Sequence, residues 1–302
     1  GIGMKKRGKF IAIGLLILLL VLAGIVFFGW KLGKGPLAYL KYDTFHLGEV
    51  VYGITEEEVF CQNGPNRIVG TLYRPEERTG QQGIVILAHG LNGTAEDNRI
   101  YARILAEAGI AVYAFDFCGG SNNGKSDGNT TSMSVKTEMT DLDCVVEKVK
   151  SWDWVDPENV VLMGESLGGL VSSLTAAQRE DIRALVLFYP AFSLQDNMHT
   201  LFGSSANIPD TFSFMGMELG RTFGEDLWDL DAYARIEAYT GEVLIVHGTK
   251  DATVPYGYSK RACNHFPHAR LCGIRGADHG FVNDDALEAM SETYAFLREQ
   301  MQ

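Results

Sequence analysis

Apolar residues follow three different rhythms along this chain. Residues 10–30 form 21 consecutive positions without a charge or a proline, rich in Leu, Ile and Val. Wound as a helix they would reach about 32 Å, the depth of a bilayer's hydrocarbon layer, with no polar face. From Gly83 onward, short, largely apolar runs alternate with amphipathic stretches. The runs are residues 84–88, 111–117, 160–163, 184–189, 243–246 and 270–274. Continuous rather than alternating hydrophobicity suits strands buried on both faces, as in a parallel sheet. Between the runs, Leu142, Val145, Val146 and Val149 fall at i, i+3, i+4 and i+7. Leu287, Met290, Tyr294 and Leu297 make a similar stripe, and Gly109 caps a helix ending near Ala108. Repeated strand–helix units predict a doubly wound, mostly parallel α/β sheet with right-handed crossovers.

Two stretches depart from that rhythm. Around Asn63-Gly64-Pro65, "EEEVFCQNGPNRIVGTLYRP" reads as two strand-like runs joined by a turn, an opening hairpin. Between Tyr189 and Glu242 lie about fifty residues with Phe192, Phe202, Phe212, Phe214, Phe223 and Trp228. That is long for a strand-to-helix connection and predicts an inserted cap at about 191–240. The expected organisation is a basic segment 1–9, a membrane-spanning signal anchor 10–30, a linker 31–42 and one α/β domain 43–302.

Charge refines this picture. Lys5, Lys6, Arg7 and Lys9 precede the apolar span, whereas only Lys31 and Lys34 closely follow it. The denser basic side predicts a cytoplasmic N-terminus and an extracytoplasmic body. A cleavable signal peptide is the rival; its apolar region is usually shorter, and no small-x-small cleavage site follows this one. No cysteine lies near the end of the span, which argues against a lipoprotein anchor. Residues 1–41 hold seven of the 26 basic residues and none of the 38 acidic ones, so the remainder carries 19 − 38 = −19. Such a body repels phosphate backbones, which argues against nucleic-acid partners. Cys61, Cys118, Cys144, Cys263 and Cys272 show no C-x-x-C spacing, an odd count and no zinc pattern. Cys263 with Cys272 is a possible pair.

The pattern G-x-S-x-G occurs twice, at Ser166 in "VVLMGESLGG" and at Ser126 in "GKSDG". Ser166 follows an apolar run directly and opens a helical stretch. On so tight a strand–turn–helix the residues two before and two after the serine nearly touch, which accounts for Gly164 and Gly168. The following helix aims its free N–H groups back at the serine. Ser126 has no apolar run before it and no helix directly after it. Its glycines read as loop flexibility, and Ser166 is the candidate nucleophile.

A serine hydroxyl needs a base, and the base needs an orienting group. In open α/β sheets both should stand past the carboxyl ends of strands. After 243–246 comes "HGTKDATVP" with Asp251; after 270–274 comes "GADHGF" with His279. His46, His199, His265 and His268 lack such placement, and His247 reads as the end of its strand. Asp278 adjoins the base, and Asp226, Asp229 and Asp231 fall in the cap, so Asp251 leads as the acid. The developing oxyanion needs preorganised donors. The backbone N–H of Leu167 is one candidate, and that of Leu91 in "LAHGLNG" is the other, with His89 tying that loop. Neither a metal nor an organic cofactor is required.

The motifs HG-L-x-G, G-E-S-L-G-G, H-G-T-K-D-x-x-V-P and G-A-D-H-G-F resemble those of the α/β-hydrolase superfamily. Within it they are most similar to bacterial cinnamoyl/feruloyl esterases and to serine-aminopeptidase-like (monoacylglycerol-lipase-type) hydrolases. The likeness covers roughly residues 55 to 300. It implies an α/β-hydrolase fold, with Ser166, Asp251 and His279 as a triad and the Leu91 and Leu167 amides as oxyanion hole. The elbow's Glu165 stands where histidine is more usual. The implied activity is hydrolysis of a small carboxylic ester, with monoacylglycerol or aminoacyl substrates as alternatives. A membrane-tethered, non-catalytic binding protein would instead predict a missing triad member or a filled elbow.

Overall fold

The computed structural model describes Tyr42 and residues 44–301. The predicted basic segment and anchor, and all of the linker but Tyr42, lie outside the described residues. Among the described residues no helix is long and apolar enough to cross a membrane. Residues 46–281 with 288–302 form one compact unit, which carries the sheet and every side chain of the candidate site. The described residues of a second unit are Tyr42, residues 44–45 and 282–287; in it the Asn283 amide donates to the Tyr42 hydroxyl at 2.7 Å.

The opening hairpin is β1 (Ile54–Asn63) and β2 (Asn66–Pro75), paired antiparallel about Gly64, whose φ of +55° suits a residue without a Cβ. The apolar runs become β3 (Gln82–Ala88), β4 (Ala111–Phe115), β5 (Val155–Glu165), β6 (Ala184–Phe188), β9 (Glu242–Gly248) and β10 (Ala269–Ile274). With the hairpin they form one eight-stranded sheet ordered β1-β2-β4-β3-β5-β6-β9-β10. β2 runs antiparallel to β4, and every pairing from β4 through β10 is parallel. Every residue of β4 and β6 is buried, so both faces of the sheet are covered, as the continuous runs predicted. Each such Val, Leu or Ile contributes about 1.5–3 kcal/mol by leaving water.

β5 begins five residues earlier than its apolar run. Its polar start, Asp156-Pro157-Glu158-Asn159, coincides with a register shift against β3 between Gln82 and Ile84, which the apolar pattern does not encode.

The helices fill the intervals: α1 (Arg99–Glu107), α2 (Val135–Lys150), α3 (Ser166–Ala176), α7 (Gly257–His265) and α8 (Asp284–Gln300). Ser134 starts α2 with a reciprocal cap: its Oγ accepts from the Thr137 amide, and its own amide donates to Thr137 Oγ1 at 2.8 Å. Gly109 follows α1 at φ +93°, a left-handed stop. Between β6 and β9 run α4 (Leu194–Phe202), a short 3₁₀ turn, the hairpin β7 (Thr211–Phe214) and β8 (Met217–Gly220), α5 (Arg221–Trp228) and α6 (Ala232–Ile236). Phe192, Phe223, Leu227 and Ile236 of this segment are buried in the main core, with Phe202 and Phe212 packed against it. Most of its aromatics therefore serve packing.

Pairing register brings one edge of the sheet level. Ala88 stands beside Phe115 and Gly164, Glu165 beside Phe188, and Gly248 beside Ile274. The loops leaving these positions carry the candidate chemistry.

Candidate active site

Ser166 directly follows β5 as the first residue of α3, with φ +48°, a left-handed backbone that costs a non-glycine residue of order 1–3 kcal/mol. Its neighbours hold it there. A Cβ at position 164 would collide with the Gly168 carbonyl, and one at 168 with the carbonyls of Ala88 and His89. Glycine at both places is a steric requirement of the elbow. Gly90 presses on the serine as well: a Cβ there would stand 3.1 Å from Ser166 Cβ.

The hydroxyl has a partner. His279 Nε2 is 3.1 Å from Ser166 Oγ, and His279 Nδ1 is 2.8 Å from Asp251 Oδ2. Nδ1 donates to the carboxylate, so Nε2 is left to accept the serine proton. Asp251 is 6% exposed. Burial opposes its charge, but hydrogen bonds from His247, His279 and the Val254 amide outweigh that and hold its pKa well below the usual carboxylate range. Oδ1 accepts from the Thr253 and Val254 amides at 2.9 and 2.8 Å, which fixes the side-chain rotamer.

His247 is the residue that sequence pattern alone passes over. It ends the apolar run of β9, yet it is fully buried, with Nε2 3.0 Å from Asp251 Oδ2 and 2.8 Å from the Val254 carbonyl. Ser259 Oγ stands 2.6 Å from its other nitrogen. A carbonyl only accepts, so Nε2 carries the proton, and Nδ1 accepts from the Ser259 hydroxyl. Asp251 Oδ2 thus sits between two imidazole N–H groups. The available signal was the four-residue spacing of His247 and Asp251 across a tight turn.

The candidate donors for an anion come from two segments that meet at the same serine, the start of α3 and the loop after β3, whose Gly90 lies against it. Leu167 is in the first turn of α3, where amides have no intrahelical acceptor. In the loop after β3, the Asn92 amide goes to the Gly120 carbonyl at 2.9 Å and that of Gly93 to the Gly90 carbonyl at 3.0 Å. Among the described residues no acceptor is bonded to the Leu91 amide between them. His89 ties this loop as expected: Phe117 N–H donates to its Nε2 at 3.0 Å, so Nδ1–H donates to the Gly90 carbonyl at 2.7 Å. Burial pushes the His89 pKa down, keeping it neutral. A bridge runs outward from the loop. Asn92 Oδ1 accepts from the Asn122 amide, and Asn122 Nδ2 donates to the carbonyl of Gly216 at the tip of the β7–β8 hairpin, 3.2 Å.

The rival residues are engaged elsewhere. Ser126 donates to the Asp116 carbonyl at 2.6 Å and accepts from the Val69 amide at 2.8 Å, stapling its loop to β2. Asp278 Oδ1 accepts from the amides of Ala252 and His279, shaping the loop rather than meeting the ring nitrogens. Asp226 pairs with Lys136, Asp231 caps α6 and Asp229 ends α5. His199 meets the Trp228 carbonyl, His265 pairs with Glu237, and His46 lies 3.6 Å from Glu107. The five cysteines are free thiols, Cys263 and Cys272 included. No group of three or more His, Cys, Asp or Glu residues suited to a metal occurs among the described residues.

The family model described as serine aminopeptidase, S33 matches residues 79–222. Est1E from Butyrivibrio proteoclasticus, solved with ferulic acid bound, superposes with a TM-score of 0.72 at 28% identity, over 80% of this chain and 98% of that one. This chain belongs to the α/β-hydrolase superfamily. Among curated proteins, the α/β-hydrolase resembles mouse alpha/beta hydrolase domain-containing protein 17C, 25% identical over 57% of this chain and 46% of that one. The chain therefore spans about half the length of the first curated relatives it matches. A monoacylglycerol lipase of Mycolicibacterium smegmatis is 25% identical over 68% of this α/β-hydrolase and 70% of its own length.

Proposed function

We propose that this α/β-hydrolase is a serine carboxylesterase that works through an acyl-enzyme on Ser166. The supporting observation is the unbroken line from Ser166 Oγ through His279 to Asp251, at 3.1 and 2.8 Å. His279 takes the serine proton as Oγ attacks the ester carbonyl. The ionised Asp251 stabilises the imidazolium, and the Leu91 and Leu167 amides donate to the oxyanion. His279 returns the proton to the leaving alcohol; water then repeats the sequence on the acyl-enzyme.

Ferulic acid in Est1E favours an aromatic or similarly compact acid as the acyl group. The monoacylglycerol lipase likeness and the serine aminopeptidase model keep two other leaving groups in view, since a triad does not encode the leaving group. The apolar segment 10–30 is proposed to hold the enzyme in a membrane with its body outside the cytoplasm.

A fluorophosphonate probe tests the chemistry. Wild type should be labelled and Ser166→Ala should not; labelling that survives the substitution would exclude Ser166. A panel of p-nitrophenyl esters, methyl ferulate, monoacylglycerols and aminoacyl amides tests the substrate class. Faster turnover of the amides would overturn the esterase reading.

A further inference from the structure

His279 rests on a loop with glycines at positive φ on either side, Gly276 at +78° and Gly280 at +81°. Its own bonds are few: the ring to Asp251 and Ser166, and the backbone amide to Asp278. A ring so carried needs a wall if its Nε2 is to stay on the serine.

Tyr189 provides one. It follows the last residue of β6, and its ring centroid is 4.6 Å from that of His279, with the planes inclined at 56°. It packs equally on Phe281, at 4.8 Å. Its backbone is left-handed, φ +37°, a conformation that bulky residues avoid. The amide holds that conformation by donating to the Val246 carbonyl of β9 at 2.9 Å. Beyond the ring, the hydroxyl donates to Glu165 Oε1 at 2.7 Å. Glu165 is the residue immediately before the candidate nucleophile.

A tyrosine that merely filled space would need neither the strained backbone nor a carboxyl withdrawn from water; phenylalanine would serve. Both costs fall beside the serine and its base, where strain is retained when it sets geometry. Burial pushes the Glu165 pKa up, with Tyr189 and Asn98 drawing it back. Asn98 is 2% exposed, and its side-chain amide is turned to this carboxyl. Burial, then the nearby Glu165 charge, push the Tyr189 hydroxyl well above its ordinary value, so it remains a donor. The other titratable groups near this pair are Asp97, Tyr101 and His279; Asp251 and Asp278 face the imidazole.

We propose that Glu165 and Tyr189 act as a linked pair of positioning residues. The Glu165 carboxyl anchors the Tyr189 hydroxyl, and the anchored ring keeps the His279 imidazole in line between Ser166 and Asp251. The departure from histidine at the elbow thereby acquires a role. This inference rests on the serine-hydrolase reading of the site.

The test uses the full chain and four variants: Tyr189→Phe, Glu165→Leu, Glu165→Gln and the double Glu165→Leu/Tyr189→Phe. An activated ester is turned over at each pH, and rates are divided by the fraction of sites that a fluorophosphonate titrates, which removes any loss through misfolding. Tyr189→Phe and Glu165→Leu should each lower kcat about tenfold with KM within about twofold. The double should fall no further than about twofold below the worse single, because each change breaks the same anchor. Glu165→Gln keeps an acceptor for the hydroxyl and should restore most of kcat across the pH range. Losses that multiply in the double, an unchanged kcat in Tyr189→Phe, or Glu165→Gln as poor as Glu165→Leu would each overturn the pairing. A wild type that neither labels nor turns over would instead sink the serine-hydrolase reading beneath it.

Discussion

At the scale of single residues, the site is organised around one carboxylate oxygen. Asp251 Oδ2 accepts from two imidazoles, and a hydrogen bond to a charged acceptor is worth about 1.5–3 kcal/mol. His247→Leu removes one of these donors while leaving His279 in place. We expect kcat to fall about tenfold or more, and the Asp251 pKa to climb back toward the ordinary carboxylate range. The sign of the stability effect follows. A carboxyl with a depressed folded pKa stabilises above its unfolded pKa of about 3.9, and that contribution is lost as pH falls through the folded value. The variant should therefore lose stability against wild type above about pH 4 and converge with it in strong acid. Thermal melts from pH 2 to 8 check this; a constant offset at every pH would count against it. Ser166, Asp251 and His279 are legible in the sequence because each lies just past an apolar run. His247 is not: a buried histidine that serves another side chain reads the same as the last residue of a strand.

At the scale of elements, α2 carries an unusual load. Glu138 in its first turn is 1% exposed, and neither carboxyl oxygen has a hydrogen-bond partner. A Cβ on Gly120 would stand 3.0 Å from Glu138 Oε1 and 3.1 Å from His89 Cε1, so this carboxyl lies behind the loop that ties Leu91. Burial, helped by Asp141, pushes its pKa well above the usual value. Its sign is opposite to that of Asp251. The folded state holds a proton that the unfolded state releases above about pH 4.3, and each further pH unit costs about 1.4 kcal/mol until the folded pKa is reached. Glu138→Gln has no proton to retain. Its melting temperature should gain on wild type as pH rises from 5 to 8, by several degrees at the upper end. A difference that stays flat over that range would show Glu138 to be ionised in the fold. Apolar periodicity reveals α2 through its valines and leucine, but a glutamate on the buried side of a helix contradicts that pattern and is visible only in three dimensions. Likewise, the six parallel strands are legible from short, largely apolar runs. The polar start of β5 is not, because it joins the sheet only through Val155 beside Gln82, across a register shift that apolar periodicity does not encode.

At the scale of the whole molecule, the charge asymmetry sets the expectation for topology. Residues 1–41 carry seven positive charges and no negative ones, and the remainder carries −19. On the proposed orientation, with the denser basic cluster retained in the cytoplasm, protease added to intact cells should release the hydrolase body. Protection there, with cleavage only after lysis, would reverse the orientation. The fold's overall order is legible because alternating strands and helices leave few ways to cover a parallel sheet. Where the sheet stops is set by β1. Glu56, Glu57 and Glu58 follow one another on this outermost strand, all exposed, with Arg99 and Lys125 of the same chain already paired to the first and last. Were a second copy to zip onto that border, its own three carboxylates would be crowded against these. The molecule is fenced on this side against growing into a continuous ribbon with its neighbours, a safeguard that matters most when many copies are confined to one plane.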